Sequence, residues 1–576
     1  MGDNENRKVY KARQVKNYRE MVEYSCKNYA QNIAYKYKKD YTAKNIEYIE
    51  KKYEQVGKDI KAFGTGLLNL DLMGERIVVV GKNRYEWCIS YLATTCSNMV
   101  IVPIDKALPD IEMQRLIERS EAKAIIFDEK YLETIKKVQE KENSNLKTLI
   151  CMDNIQEKGI KTFNEILEEG RNQIKNGDQK YDNIEIDENK MSIMLFTSGT
   201  TNEPKAVMLS QANICANISN IACWVKLYPT DVLLSFLPIH HTFECTITFL
   251  YGFYSGSQVA FCDGLKHIQQ NLKEYKVSVF VAVPLVLETM YKKIQKAIEE
   301  QGKTGLINKM TKISNTLLKA KIDIRKIVFK QILDNFGGNL RVVLYGAAPM
   351  NKATIIGYNN LGISLVQGYG LTETSPVVTA ETDKGKRPGS IGLALANLNL
   401  KIANPDNEGV GEITVKGPSV MLGYYKNPEE TKKVLKDGWF STGDYGYKDK
   451  DGFVYITGRK KDIIVLKNGK NVYPQEIEFL INKIPYIAES LVYSRDKDTT
   501  DTMLCAKIVY DKDTIKQMIG EKTEEEYKEI IWQEIKKINQ ELPIFKKIKN
   551  ITITTEPLKK TTTQKVKRYE ELKNLT

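Results

Sequence analysis

Residues 191–209 read MSIMLFTSGTTNEPKAVML, and the rest of the chain can be interpreted outward from this stretch. Its two apolar runs, 193–196 and 206–209, predict strands, and Ser210 is a candidate N-cap for a helix beginning near Gln211. Loop N–H groups around a glycine can cradle an anion, hydroxyls can donate to phosphate oxygens, and a lysine adds positive charge. We therefore predict a phosphate-binding loop, with an ordinary polar hairpin turn as the alternative. Its candidate ligands are Thr197, Ser198, Gly199, Thr200, Thr201 and Lys205.

The loop is not a Walker loop, because Pro204 precedes the lysine where that pattern requires glycine. It resembles instead the phosphate loop of the AMP-forming acyl-adenylating enzymes, which include acyl-CoA synthetases, luciferases and peptide-synthetase adenylation domains. Their pattern is close to TSGTTGxPKG, and here Asn202 and Ala206 replace two of its glycines. Asparagine tolerates positive φ, so we expect position 202 to keep its turn.

Length and composition limit the classes of protein that the chain can belong to. At 576 residues it is too long for one core, which predicts two or three domains, and its 42% hydrophobic content is ordinary for a soluble protein. A net charge of +13 suits an anionic substrate, a membrane surface or nucleic acid. The lysines are spread along the chain, so we favour a general excess of lysine and expect no nucleic-acid partner.

Cysteine usage and hydropathy bear on the compartment. The nine cysteines form no CxxC pair, which argues against disulfides and a zinc site and favours a reducing cytoplasm. The first ten residues are polar and show no signal-peptide pattern. No apolar run approaches the roughly 18 residues of a transmembrane helix. We expect a cytoplasmic protein, with membrane association as the alternative.

The first third of the chain predicts a scaffold without chemistry of its own. Residues 1 to about 75 read as helices with a polar surface, such as 44–69. Beyond them, strand patterns alternate with a helical stretch at 84–97, which indicates a doubly wound parallel sheet. The predicted strands are 75–81, 99–103, 124–128 and 148–152.

Two of the chain's three histidines, His240 and His241, follow the predicted strand 232–238. Open α/β sheets bind ligands beyond their strand ends, although a buried core histidine is the bland alternative. The segment resembles the family's LPxxHxxE/G motif, with His241 at the motif histidine. That resemblance implies a place beside the carboxylate that is activated.

Residues 277–287 predict a buried strand and a helix starting near Pro284, and 291–337 carry Lys, Ile and Leu at helical spacing. A basic amphipathic stretch either packs on its own domain, which we favour, or lies on a membrane. It resembles the helical segment of long-chain fatty acyl-CoA synthetases, which favours a fatty acid substrate. Its apolar face would comprise Leu306, Met310, Ile313, Leu317 and Leu318.

Two further strands, 340–344 and 365–368, each end in a turn of small residues. Small residues let the backbone approach a flat ring, a tyrosine can stack on it, and a carboxylate can hold Mg²⁺ near phosphates. The second turn, QGYGLTETSP at 367–376, matches the family's YGxTE motif, whereas a β-turn with a chance Thr-Glu pair is the alternative.

The resemblance gives these two turns roles in nucleotide binding. It implies that Thr372 contacts the α-phosphate and that Glu373 is the Mg²⁺ ligand. The positions that would border the adenine are Gly346, Ala347, Ala348, Pro349 and Tyr369, and further cofactor-binding candidates are Gln367, Gly368 and Gly370.

From residue 389 to 455, short alternating runs and glycine turns suggest a small β-barrel or distorted sheet. Within it, STGD at 441–444 matches a family motif, which implies that Asp444 binds the ribose; a carboxylate can accept both ribose hydroxyl protons. A second match, to the pattern GYxxxPExT, is interpreted as structural. It involves Gly423, Tyr424, Pro428, Glu429 and Thr431.

Residues 458–478 resemble the family's hinge segment, with Arg459 at the nucleotide-contacting arginine and Asp462 at the pivot; a surface hairpin is the alternative. We therefore predict an AMP- and acid-binding domain at 1–461 and a mobile catalytic domain at 462–576. Near the end, KKTTTQKVKR resembles the catalytic-lysine motif with Lys565 at the lysine, although Gln564 replaces the usual glycine. A disordered or nucleic-acid-binding tail is the alternative.

The resemblance covers nearly the whole chain, with the motifs in family order. It implies an α/β fold: a large N-terminal domain of doubly wound sheets plus a small distorted β-barrel, followed by a small mobile α+β domain. It also implies an ATP-dependent, Mg²⁺-dependent ligase that converts a medium- to long-chain fatty acid to an acyl-adenylate and then to acyl-CoA. An acyl carrier protein ligase, an aryl or amino acid adenylating enzyme, and a non-catalytic nucleotide- or lipid-binding homologue stay open. So do acyl chain length and oligomeric state.

Overall fold

The computed structural model describes residues 8–197, 203–382, 385–466, 470–496, 502–560, 566–573 and 575. The chain divides into two compact units. The first comprises Met1–Leu400, Val415–Phe440 and Lys450–Val454, and the second Lys401–Thr414, Ser441–Asp449 and Tyr455–Thr576. The mixed α/β architecture with a large N-terminal part confirms the predicted fold class. The boundary between residues 461 and 462 stays a prediction.

An eight-stranded sheet in the first unit contains the stretch from which the fold was predicted. Met191–Thr197 and Lys205–Ser210 pair antiparallel, and a helix, Gln211–Ile221, follows. Ser210 accepts the N–H of Asn213 while the Asn213 side chain accepts the N–H of Ser210, so the predicted N-cap is confirmed. In spatial order the strands are Gly423–Tyr424, Lys205–Ser210, Met191–Thr197, Val100–Pro103, Arg76–Val80, Ala124–Phe127, Thr148–Cys151 and Ile160–Thr162.

Four of these strands confirm the strand–helix alternation predicted for the first third, whereas Ile160–Thr162 was not predicted. Apart from Arg76 and Thr148, which begin their strands half-buried, the residues of the four predicted strands are buried, as expected for parallel strands covered on both faces. The helices between and after these strands are Tyr85–Cys96, Asp110–Ser120, Leu132–Gln139 and Phe163–Lys175.

A nine-stranded sheet forms the other half of the first unit. In spatial order its strands are Leu393–Ala394, Val377–Ala380, Ser364–Gly370, Val342–Tyr345, Val279–Ala282, Val232–Ser235, Gln258–Phe261, Ile33–Lys38 and Tyr48–Lys52. The predicted helical stretch 44–69 is wrong in its first part, because Tyr48–Lys52 is a strand and the helix runs from Tyr53 to Leu68. Pairing of this strand with Ile33–Lys38 extends the sheet, and such tertiary pairing overrides local helical character.

The remaining helices of the first unit include the predicted basic stretch. A helix begins at Pro284, as predicted, and runs to Glu300, and a second spans Thr304–Lys319. The predicted apolar face packs only in part: Met310 contacts the core of the nine-stranded sheet, but Leu306 and Ile313 are exposed. The other helices are Tyr18–Asn28, Glu244–Tyr251 (a π-helix), Gly252–Tyr254, Ile268–Glu274, Arg325–Val328, Lys330–Leu333, Lys352–Asn360 and Pro428–Val434.

Residues 399–459 contribute a five-stranded sheet, in the region where a barrel or distorted sheet was predicted. Its order is Asn399–Ala403, Gly411–Lys416, Trp439–Lys448 and Leu435–Lys436, with Val454–Arg459 also paired to Trp439–Lys448. Further along, a three-stranded sheet of Ile487–Asp496, Thr502–Tyr510 and Asn550–Thr554 accompanies a two-stranded pair, Ile464–Val465 and Asn471–Val472. The helices of the second unit are Pro474–Ile481, Lys512–Ile519, Glu524–Glu541 and Arg568–Leu572.

Within the described ranges, no helix combines the length and apolar character needed to cross a bilayer.

A close approach of two helices gives a test of this packing. A Cβ on Gly170 would lie 1.8 Å from the carbonyl oxygen of Ala62, so Gly170→Ala must push the helix Phe163–Lys175 off Tyr53–Leu68. We expect a loss of about 1–3 kcal/mol in the free energy of unfolding, measured by urea denaturation. Gly305 is the control, since a Cβ there meets open space in a helix. Gly305→Ala should stabilise by up to about 1 kcal/mol, and equal effects at both positions would contradict the packing.

Candidate active site

The turn that carries Thr372 and Glu373 is fixed by a buried asparagine. Strand Ser364–Gly370 runs into this turn, and the chain returns as Val377–Ala380. Asn217, from the helix after the hydroxyl-rich loop, donates to the carbonyl of Val377 at 2.7 Å and accepts its N–H at 3.2 Å. The turn is therefore joined to the element that follows the predicted phosphate loop.

The side chain of Tyr424 connects Glu373 to Lys205, and Glu430 completes a cluster of four side chains. Tyr424 donates its hydroxyl proton to Oε1 of Glu373 at 3.0 Å, and the ammonium of Lys205 lies 5.0 Å from the centre of the Tyr424 ring. On its other side Lys205 pairs with Oε2 of Glu430 at 2.6 Å. The strand Gly423–Tyr424 brings these groups together, because it pairs with Lys205–Ser210.

Charge within this cluster is balanced. Hydrogen bonds from Lys205 and then Lys433 lower the pKa of Glu430 to about 2, so Glu430 stays ionised. Burial and then the neighbouring Glu373 raise the pKa of Tyr424 well above its ordinary value, which keeps its phenol a hydrogen-bond donor. Sequence reasoning interpreted Tyr424 as structural and did not single out Glu430. Only the pairing of two strands more than 200 residues apart reveals their contacts.

One carboxylate oxygen of Glu373 could hold a magnesium ion. Its Oε1 is held by Tyr424, and its Oε2 accepts no hydrogen bond from any residue that the structure describes. The described residues also contain no group of three or more acidic, histidine or cysteine side chains suited to a metal. Mg²⁺ is commonly held by one or two carboxylates together with substrate phosphates, which this arrangement allows.

Two neighbouring strand ends bring the predicted adenine-binding turns together. Val342–Tyr345 and Ser364–Gly370 are parallel, with Tyr345 opposite Gln367, and the Tyr345 hydroxyl donates to the Gln367 amide oxygen at 2.9 Å. A Cβ on Gly346 would lie 2.6 Å from the carbonyl oxygen of Gly368, so this approach requires glycine. Ala347 and Ala348 are exposed, and Tyr369 is half-buried. The roles of these residues in binding adenine stay predictions.

The histidine pair lies beyond the end of Val232–Ser235. His240 faces a carboxylate: its Nε2 is 3.7 Å from Oδ2 of Asp105. Burial lowers the pKa of His240, and Asp105 opposes that effect. Nδ1 of His241 accepts the N–H of Phe243 at 3.3 Å.

Glu244 is a fully buried carboxyl at the start of the π-helix. Its Oε2 accepts a hydrogen bond from Thr248 at 2.9 Å. Burial raises the pKa of Glu244 to about 8, against hydrogen bonds from Ser235, Thr248 and the backbone of Phe236. The carboxyl is therefore protonated at neutral pH. Residues 240, 242, 245 and 246 of the same segment line a small enclosed cavity.

The predicted ribose ligand and hinge belong to the second unit. Asp444 is buried, and its Oδ1 pairs with Nε of Arg459 at 3.0 Å, so these two predicted nucleotide ligands contact each other. Asp462 accepts a hydrogen bond from Gln475 at 2.7 Å. Its Oδ1 also lies 3.9 Å from Nε of Arg568.

Some of the predicted site residues lie outside the described part of the chain. Thr197 ends its strand, and its hydroxyl donates to the Lys205 carbonyl at 3.4 Å. Ser198, Gly199, Thr200, Thr201 and Lys565 fall outside the described residues.

Comparison with known proteins places these observations in context. Residues 22–425 match a family model described as AMP-binding enzyme, and residues 461–575 match one described as AMP-binding enzyme C-terminal domain. Long-chain-fatty-acid–CoA ligase 6 of Mus musculus is 30% identical over 497 residues, which cover 80% of this chain and 70% of that protein. The chloroplastic long-chain-fatty-acid–[acyl-carrier-protein] ligase AEE15 of Arabidopsis thaliana is 28% identical over 563 residues, covering 85% and 76%.

A solved structure shows the same fold. The anthranilate CoA ligase AuaEII in complex with anthranoyl-AMP superposes with a TM-score of 0.76 at 18% identity, covering 97% of each chain.

The raised pKa of Glu244 predicts how the stability of the chain changes with pH. Its pKa is about 8 when folded and 4.5 ordinarily, so between these pH values the folded chain holds a proton that the unfolded chain has released. The contribution of this proton to the free energy of unfolding is therefore fully present below pH 4.5 and is lost as pH rises towards 8. Glu244→Gln has no carboxyl to titrate at this position. The free energy of unfolding of this variant minus that of wild type should therefore increase by about 1.4 kcal/mol for each unit by which the pH rises.

Urea denaturation at several pH values between 5.5 and 7.5 measures this difference. Glu133→Gln replaces an exposed carboxyl and should follow wild type at every pH. Parallel pH profiles for wild type and Glu244→Gln would show that the buried carboxyl is not protonated.

Proposed function

The chain belongs to the family of AMP-binding enzymes, and from this premise we propose that it is an AMP-forming ligase joining a medium- to long-chain fatty acid to the thiol of CoA. The observation that carries the proposal is the cluster in which Tyr424 lies between Glu373 and Lys205. It combines a carboxylate suited to Mg²⁺ with a cation beside the hydroxyl-rich loop. Phosphate chemistry needs both groups, whereas a lipid-binding protein needs neither.

In the first half-reaction, an oxygen of the fatty acid carboxylate attacks the α-phosphate of ATP and pyrophosphate leaves. Lys205, the loop hydroxyls, Thr372 and Lys565 would stabilise the charge that builds on the phosphate. Mg²⁺ held by Glu373 would neutralise phosphate charge when bound. Tyr424 fixes one oxygen of Glu373, leaving the other for the ion. His241 would lie beside the acid carboxylate.

In the second half-reaction, the thiol of CoA attacks the acyl carbon and AMP leaves. Asp444 and Arg459 would hold the ribose, and the two glycine-containing turns and Tyr369 the adenine. Lys565 serves only the first step, since no phosphate bond changes in the second. We propose that rotation about Asp462 moves the domain 462–576 between the two steps, as in hinged enzymes.

The alternatives to this proposal differ from it in the thiol acceptor or in the acid that is activated. The mouse relative is named a CoA ligase and the Arabidopsis relative an acyl-carrier-protein ligase, so acyl carrier protein is the second candidate acceptor. The solved structure belongs to an anthranilate ligase, which keeps an aryl acid as an alternative substrate.

A panel of acids and acceptors tests the function. We expect AMP release only with acid, ATP, Mg²⁺ and CoA together. kcat/KM should rise from acetate towards longer acids, since each buried CH₂ adds roughly 0.8 kcal/mol to binding. AMP release is measured with a coupled assay, with CoA or acyl carrier protein as acceptor. A preference for acetate, benzoate or an amino acid would refute the fatty acid, and release with carrier protein alone would refute CoA.

We also propose that residues 301–333 rest on an anionic membrane surface. This segment carries seven lysines and one arginine against a single aspartate, Asp323, which pairs with Arg325. Among the described residues none of the seven lysines has a carboxylate partner within ion-pair distance. Large apolar side chains project beside them: Ile327 is 78% exposed, and Leu306 and Ile322 are each 53% exposed. Cations around exposed aliphatic groups are typical of interfacial segments.

Charge reversal tests this surface. The variant Lys309→Glu, Lys312→Glu, Lys319→Glu should bind vesicles of phosphatidylcholine with phosphatidylglycerol at least 10²-fold more weakly than wild type, since each lysine near such a surface contributes about 1 kcal/mol. Co-sedimentation measures the bound fraction. The control reverses three exposed lysines elsewhere, Lys44, Lys58 and Lys175, with the same change in net charge. Equal loss in both variants would attribute binding to net charge rather than to this segment.

A further inference from the structure

Glu430 occupies a position at which the pattern GYxxxPExT allows any residue, between Glu429 and Thr431. The helix Pro428–Val434 begins here, and the side chain of Asn427 accepts the N–H of Glu430 at 3.2 Å. This cap uses the backbone of Glu430 and leaves its carboxylate for other contacts. The start of the helix therefore does not require a carboxylate at this position, and the role of the side chain depends on what it contacts.

The backbone around Glu430 is fixed against the strand that follows the hydroxyl-rich loop. The strand Gly423–Tyr424 pairs antiparallel with Lys205–Ser210. The hydroxyl of Thr431 accepts the N–H of Tyr424 at 2.9 Å, which ties the first turn of the helix to this strand pair. The carboxylate of Glu430 therefore reaches the lysine from a backbone that already lies beside it.

The ion pair between Glu430 and Lys205 differs from an ordinary surface pair. Oε2 of Glu430 lies 2.6 Å from the ammonium of Lys205, and the two side chains are 27% and 17% exposed. The neighbouring Glu429 pairs with Lys432 at 3.3 Å, and these side chains are 77% and 75% exposed. Because water screens the second pair more than the first, attraction is stronger within the first pair. Glu429 thus offers a matched control for Glu430.

Glu430 also pairs with a second cation. Its Oε1 contacts the ammonium of Lys433, an exposed lysine one turn further along the helix. When a phosphate takes the ammonium of Lys205, the carboxylate keeps this other partner. Removal of one partner from a shielded ion pair is otherwise strongly unfavourable, because it leaves a charge uncompensated. With Lys433 in place, exchange of partners at Lys205 is readily reversible.

We propose that Glu430 is a positioning residue that competes with the phosphates of the nucleotide for Lys205 and so promotes the departure of pyrophosphate. This rests on the proposed function, which supplies ATP as substrate and pyrophosphate as product. Once the bond between the α- and β-phosphates of ATP has broken, pyrophosphate carries the charge that Lys205 neutralised. Glu430 then takes the ammonium back, in an exchange of ion pairs that changes no covalent bond. The affinity for pyrophosphate is thereby kept low.

Isothermal titration with magnesium pyrophosphate measures this competition without turnover. Glu430→Gln keeps the size of the side chain but removes the charge that holds Lys205. The dissociation constant of pyrophosphate should therefore fall about tenfold, as expected when a charge-assisted hydrogen bond no longer competes. Glu429→Gln makes the same change in net charge at the neighbouring exposed position, and it should change the constant by less than about twofold.

A second variant should have the opposite effect. Lys433→Gln removes the other partner of Glu430, so the carboxylate should hold Lys205 more exclusively. The dissociation constant of pyrophosphate should then rise roughly threefold, the size of one exposed ion pair. Lys432→Gln removes the partner of Glu429 and is the matched control, with a constant near that of wild type. Both lysines are exposed, so both variants should fold as wild type does.

Kinetics separate this competition from a structural role. In Glu430→Gln, product inhibition by pyrophosphate should become about tenfold stronger and KM for ATP should fall. The second half-reaction, started from a synthetic acyl-adenylate, should keep wild-type kcat and KM for CoA, because no pyrophosphate is present. A purely structural ion pair would instead lower the free energy of unfolding in urea and weaken the binding of both phosphate ligands.

Several outcomes would overturn the proposal. An unchanged dissociation constant in Glu430→Gln would exclude competition, and equal tightening in Glu429→Gln would assign the effect to net charge. Weaker binding together with lower stability would give the pair a structural role only. If wild type neither binds pyrophosphate nor forms an acyl-adenylate from any acid, the proposed function fails. If wild type turns over normally and Glu430→Gln binds pyrophosphate as wild type does, only the role of Glu430 fails.

Discussion

The paired hydrogen bonds between Asn217 and Val377 are the contact on which the candidate site depends. Asn217 belongs to the helix that follows the hairpin of the eight-stranded sheet, and Val377 begins a strand of the nine-stranded sheet. The amide is buried, donates to the carbonyls of Val377 and Thr374, and accepts the N–H of Val377, so it ties the helix to the turn of Glu373. Lys205 and Glu373 come from different sheets, and this contact acts together with the hydrogen bond from Tyr424 to Glu373 and the pairing of Gly423–Tyr424 with Lys205–Ser210 to keep them beside Tyr424.

Much of the fold could be predicted from the sequence because its local signals agree with the tertiary structure. Apolar runs separated by helical spacing gave the strands at 76–80 and 124–127 within one or two residues. Ser210 and Pro284 mark helix starts through their own chemistry, one as a hydrogen-bond acceptor and the other through its fixed φ. Tyr48–Lys52 differs, because its strand state comes from pairing with Ile33–Lys38, and its charged, tyrosine-containing sequence carries little of that information.

The residues of the candidate site also differ in whether the sequence alone could identify them. Motif residues such as Glu373 and Asp444 could be proposed from short patterns. Tyr424 and Glu430 could not, because their significance comes from what they contact. Tyr424 matters through a carboxylate 51 positions away, and Glu430 through a lysine 225 positions away.

Lys205, at the start of its strand, is already paired with a carboxylate, and this pairing bears on how a phosphate can bind beside it. The carboxylate of Glu430 lies 2.6 Å from the ammonium of Lys205, so a phosphate that approaches the lysine must displace or share Glu430. Binding at a compensated cation gains less from charge alone and depends more on the hydroxyls, metal and geometry around it, which suits a site that must select the reacting phosphate.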